Sequence, residues 1–172
     1  RDDGDHASGK FDPDLRYNVW LRAKGYASPN PWEDFANAGV MPDGKPVSGW
    51  SLRNAPYPSR VAEEHSETAY MTGRAIEFMR EAGDRPWVLH LSYIKPHWPL
   101  IAPAPYHAMF GPEDGLPVVR SEAERKAAHP VYRAFMDMGV SRTFSEDHVR
   151  AAAMPTYMGL IKQLDDHLGR VL

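Results

Sequence analysis

Apolar positions recur at helical spacing in two stretches of this chain, and between them they run almost without alternation. Residues 64–82 place Met71, Ala75, Phe78, Met79 and Ala82 three and four apart, the spacing of one helix face. Ser66 suits the N-cap of that helix, Glu67 its first turn, and Gly83 follows its end. After the turn Gly83-Asp84-Arg85-Pro86 comes Trp87–Ile94, in which Val88, Leu89, Leu91, Tyr93 and Ile94 leave little room for a polar face. This predicts a strand covered on both sides, central in a parallel sheet. Ser145 is expected to cap a second helical run from Glu146, with Tyr157, Leu160, Ile161, Leu164, Leu168 and Val171 as its apolar stripe. Pro155 should kink or restart that run, because it lacks an N–H and disfavours helix at Met154.

The remaining chain is more irregular. Residues 1–60 are punctuated by seven prolines (13, 29, 31, 42, 46, 56 and 58) and form a loop-rich wrap. One helix is predicted over Asp14–Lys24, with Leu15, Val19 and Arg22 on a shared face and Gly25 as its stop. Residues 61–99 read as helix, strand and loop. Residues 100–142 belong to a long excursion with helices around Ser121–Ala128 and Val131–Met138, and 143–172 are helical. Helix, strand, excursion and helix in that order predict an α/β fold. A further strand would be needed after Leu172 to complete a crossover, so a partial domain is expected.

Composition narrows the classes. A chain of 172 residues, 42% hydrophobic, corresponds to about one domain with a real core. The formal charge of -3 gives no pull toward nucleic acid or anionic membrane. No apolar run approaches the roughly 18 residues of a membrane span. The start, Arg1-Asp2-Asp3-Gly4-Asp5-His6, does not read as a signal peptide, which favours a cytoplasmic location. Without cysteine the chain has no disulfide, thiolate metal site or thiol nucleophile.

The predicted strand runs straight into Lys95-Pro96-His97-Trp98-Pro99. In open α/β sheets, ligands bind beyond the carboxyl ends of the strands. Two prolines stiffen this turn and hold Lys95 and Trp98 extended. A stiff loop carrying a cation and an imidazole can present donors to an anionic oxygen at little reorganisation cost. A solvated surface turn is the plainer alternative.

"VLHLSYIKPHWPLIAPAPYHAMF" resembles the sulfatase family of the alkaline phosphatase superfamily, most closely its phosphonate monoester hydrolases and phosphodiesterases. "EEHSETAYMTGRAIEFM" and "YMGLIKQLDDHLGRVL" agree in the same order. The resemblance implies an alkaline-phosphatase-like fold, a mostly parallel sheet flanked by helices, of which residues 1–172 are part of a single catalytic domain. It implies His97 as a catalytic group reaching the substrate's tetrahedral oxygens or leaving-group oxygen. Lys95, His97 and Trp98 would be substrate-binding, with Trp98 as a pocket wall. A divalent metal ion (calcium, manganese or magnesium) and a formylglycine nucleophile are implied for the complete enzyme, both outside this chain. The chain by itself is then expected to be inactive. The implied substrate is a small anionic ester of phosphonate, phosphodiester or sulfate type, with neither nucleic acid nor membrane as partner and a homo-oligomer when complete. An arylsulfatase proper is one alternative; a non-catalytic α/β assembly module is another of a different class.

Several tempting features read as ordinary. Pro56-Tyr57-Pro58-Ser59-Arg60 imitates the family's nucleophile motif but has Pro at the nucleophile's place. Asp2, Asp3 and Asp5 have no preceding strand to hold them. Asp165-Asp166-His167 would fan out over about 200° of a helix and is expected as a solvated face. His90 is expected in the core and His65 at a helix end, with His107, His129 and His148 in surface or packing roles. Arg120, Arg125 and Lys126 read as a mixed-charge helix surface.

Overall fold

The computed structural model describes residues 15–115 and 122–172. Asp2, Asp3, Asp5, Asp14, Arg120 and Ser121 lie outside the described residues. Helix α1 spans Arg16–Ala23, and Gly25 ends it at a φ of +93° that a side chain rarely tolerates. Its buried face is Tyr17, Asn18 and Leu21, whereas Leu15 and Val19 of the expected face are exposed. The aromatic neighbours decide this: Tyr17 packs against Tyr70, and its hydroxyl donates to the His65 carbonyl at 2.7 Å.

A π-helical turn at Trp32–Ala36 leads to strands β1, Ala38–Val40, and β2, Pro46–Ser48, which pair antiparallel with Gly39 opposite Val47. Helix α2 covers Glu67–Ala82. Its cap is the expected one: the Ser66 hydroxyl accepts from the Ala69 N–H. Helices α3 (Glu122–Ala127), α4 (Pro130–Met136) and α5 (Gly139–Phe144) build the excursion, and α6 runs over Asp147–Val171. The third excursion helix was not expected.

The predicted strand does not form. Trp87–Ile94 carries no regular secondary structure, and among the described residues β1 and β2 are the whole of the sheet. Val88 is 93% exposed, and His90, expected in the core, is exposed too. A strand exists through its ladder partners, and none of the described segments pairs with this one along its backbone. What holds the segment is a side chain, since Tyr93 and Thr72 of α2 share a hydroxyl–hydroxyl bond of 2.7 Å.

Helix α6 also departs from expectation. It continues through Pro155, which is buried. Ala151, whose carbonyl loses its helical donor to the proline, is exposed and open to water. Ser145 caps the preceding helix rather than α6, its hydroxyl donating to the Arg142 carbonyl at 2.6 Å. The buried side of α6 is Val149, Ala153, Thr156, Leu160, Gln163 and His167, while Ile161 and Leu168 of the predicted stripe are exposed.

Two apolar clusters form the core. Leu52, Ala55, Leu100, Ala102, Tyr106, Val149, Ala153 and Leu160 join α6 to the chain that follows the Lys95–Pro99 turn. Tyr17, Leu21, Trp32, Ala36 and Val61 make the second. No helix among the described residues is long and apolar enough to cross a membrane.

Candidate functional site

The turn at Lys95–Pro99 is anchored at both ends. Upstream, the Tyr93–Thr72 bond ties it to α2; downstream, Leu100, Ile101 and Ala102 are buried. The Ala102 carbonyl accepts the Ser59 N–H at 2.8 Å. Within the turn the His97 N–H donates to the Ile94 carbonyl at 2.9 Å, and Lys95 Nζ donates to the Pro99 carbonyl at 2.6 Å. Both X-Pro bonds of the turn, at Pro96 and Pro99, are cis.

His97 is exposed, and its ring is oriented by one bond: Nδ1 meets the carbonyl oxygen of Trp98. A carbonyl only accepts, so Nδ1 carries the proton. Nε2 is then the nitrogen left for chemistry, an acceptor in the neutral ring and a donor in the imidazolium. Trp98 is held edge-on by Trp50, with ring centroids 4.7 Å apart.

The turn faces two different cavities. His97 and Trp98 line an apolar cleft of about 500 Å³ together with Leu52, Leu100, Phe144 and Tyr157. Lys95 instead lines a small cavity of about 20 Å³ with the polar Asn37, Ser59, Glu67 and Gln163 and the apolar Ile101 and Leu160. The structure thus brings His97 and Trp98 together and turns Lys95 inward. That smaller cavity has room for one water, and Asn37 Nδ2 is buried there without a partner among the described residues. Sequence reasoning missed Leu52 and Phe144 in the cleft wall, which come from separate segments with no local pattern to join them.

Ser59 of the imitation motif is a packing residue, its hydroxyl donating to the Val61 carbonyl at 3.2 Å. Asp165, Asp166 and His167 do diverge, but His167 is not solvated: it is 2% exposed, and its Nε2 lies 2.7 Å from Glu63 Oε1. Gln163 Nε2 donates to the same carboxylate at 3.1 Å and to Ser66 Oγ at 2.9 Å, so α6 grips the start of α2. Arg170 Nη1 lies 3.4 Å from His167 Nδ1. The bond from His167 is the main cause holding the Glu63 carboxyl below its ordinary range. A carboxyl so lowered stabilises the fold fully above its ordinary value near 4.5, and that contribution is lost as pH falls below it. Melting temperature is therefore expected to fall in that acid window, and Glu63→Gln should flatten the fall. An unchanged slope in the variant would show that other carboxylates carry it.

One step along, Asp166 is held low by Lys162 first and by Tyr106 second. The Tyr106 phenol is pushed up to about 12, by burial and then by its 2.9 Å bond to Asp166. The other histidines have packing or surface roles. His65 Nδ1 meets the Tyr26 hydroxyl at 2.9 Å just before α2, and His129 caps α4. His107 is half-buried, and burial lowers its pKa; His148 is exposed beside Glu146.

The family model described as Sulfatase matches residues 18–172. The chain belongs to the sulfatase family. Among relatives, this sulfatase chain is 33% identical over 184 aligned positions to the multifunctional alkaline phosphatase superfamily protein PehA of Trinickia caryophylli, covering 98% of the chain and 34% of PehA. Its structure resembles the phosphonate monoester hydrolase SpPMH of Silicibacter pomeroyi, with a TM-score of 0.71 and 28% identity over 91% of this chain and 31% of that one. The phosphonate monoester hydrolase of Agrobacterium radiobacter matches in fold with a TM-score of 0.69 and 24% identity, over 91% of this chain and 32% of that one. The fold is therefore alkaline-phosphatase-like, and the sulfatase chain spans about a third of the length of the relatives it matches. Among the described residues no three His, Asp or Glu side chains gather as donors for a metal ion.

Proposed function

We propose that this chain is the middle portion of a metal-dependent hydrolase of phosphonate monoesters, phosphodiesters or sulfate esters, with His97 as its catalytic group. The observation that carries the reading is the orientation of His97. Its Nδ1 is committed to the Trp98 carbonyl, which leaves Nε2 at the wall of an apolar cleft. In the imidazolium form Nε2 donates to an oxygen of the tetrahedral anion or to the departing oxygen as the ester bond breaks. Family membership and the likeness to hydrolases named for phosphonate monoesters support that choice of substrate. Sulfate and phosphonate esters present the same tetrahedral oxygens to His97. The nucleophile and the metal ligands belong to other parts of the polypeptide on this reading, and Lys95, turned inward onto the Pro99 carbonyl, braces the turn.

The test is a substrate panel on the full-length protein supplied with divalent metal: an aryl methylphosphonate, an aryl phosphodiester and an aryl sulfate. Turnover of the first two above the third is expected, along with loss of turnover on chelation and none from the 172-residue chain alone. No turnover of any ester by the full-length protein would leave the chain as part of a non-catalytic module.

A further inference from the structure

We propose that the cleft beside His97 receives the apolar, aromatic ester group of the substrate and sets the limit on its size. The inference rests on the reading of His97 as the group that meets the ester's oxygens. A volume of about 500 Å³ lies within the range of small-molecule sites, roughly 300–1,000 Å³.

Its walls are pre-formed. Leu52 and Leu100 belong to the core, Phe144 and Tyr157 pack against that core, and Trp98 is fixed edge-on by Trp50. At the rim, Phe135 and Val140 leave apolar surface exposed. Among the described residues no carboxylate, lysine or arginine lines the cleft. A negative charge would find no partner inside it, so the anionic head stays with His97 and the uncharged organic part enters. The aromatic walls suit a flat ring.

The experiment compares two methylphosphonate esters in the full-length protein, one of a phenol and one of a naphthol of matched pKa. The quantity read is the ratio of their kcat/KM values. Val140→Trp narrows the rim and should lower kcat/KM for the naphthyl ester about tenfold more than for the phenyl ester. Phe135→Ala opens the rim and should move the ratio the other way, which keeps the test decisive if the first variant folds poorly. A ratio that stays within about twofold in both variants overturns the proposal, because another segment of the polypeptide then fills the cleft. His97→Ala separates the two readings. It should slow both esters together and leave the ratio alone. Full turnover in His97→Ala with a ratio that still responds to the rim variants would remove the catalytic reading of His97 and keep the cleft.

Discussion

Gly159→Ala is expected to lower the stability of the protein by about 2–3 kcal/mol, an unusually large cost for one methyl group. A Cβ built on Gly159 would lie 2.1 Å from the Tyr106 carbonyl oxygen and 3.0 Å from its carbon. Both are backbone atoms and cannot rotate away. Helix α6 would have to back off by about 1 Å from the turn it packs on, opening the cluster that holds Leu100, Ala102 and Leu160. Alanine's better helix propensity returns only about 1 kcal/mol, so the clash wins. Gly169 lies on the same helix, and a Cβ there meets nothing within 4 Å. Gly169→Ala should therefore be neutral or stabilising by up to about 1 kcal/mol. Thermal melting of both variants checks this: the midpoint should fall by roughly 5–10 °C for the first and hold or rise for the second. A Gly159→Ala protein that melts with the parent would mean that α6 does not press on Tyr106.

Tyr106 follows the Lys95–Pro99 turn by a few residues, and α6 holds it twice, by backbone contact at Gly159 and by the Asp166 bond to its hydroxyl. That is how a helix distant in sequence positions the turn that carries His97.

The local devices of the fold were legible in the sequence. Ser66 as a cap, Gly25 and Gly83 as stops, and the extents of α1 and α2 follow from chemistry within one helical turn. The Lys-Pro-His-Trp-Pro turn stood out for the same reason. What depended on distant partners was not legible. Trp87–Ile94 has strand composition, but pairing is a property of two segments. The stripe on α6 misled because Gln163 and His167 are polar and yet buried, each satisfied by Glu63 about a hundred residues away. The cleft escaped notice because Leu52, His97, Phe144 and Tyr157 share no period.

His97→Ala is the second variant with a large expected effect, and here the effect is on rate. The side chain is exposed on an anchored turn, so truncation should cost within about 1 kcal/mol of folding stability. Removing a preorganised donor from an anion site should lower kcat by roughly 10²–10³. Lys95→Ala should be milder on turnover, because its ammonium faces away from the cleft and is engaged with the Pro99 carbonyl. A donor acting on the leaving-group oxygen also helps poor leaving groups most, since they carry more charge as the bond breaks.

The most direct measurement is kcat for the full-length protein and its His97→Ala variant across aryl esters of falling leaving-group pKa, taken alongside their melting curves. The loss should be about 10²–10³ for the poorest leaving group and shrink steadily toward the best, with the melting temperature nearly unmoved. A variant that melts far below the parent yet keeps its turnover per folded molecule would contradict the account.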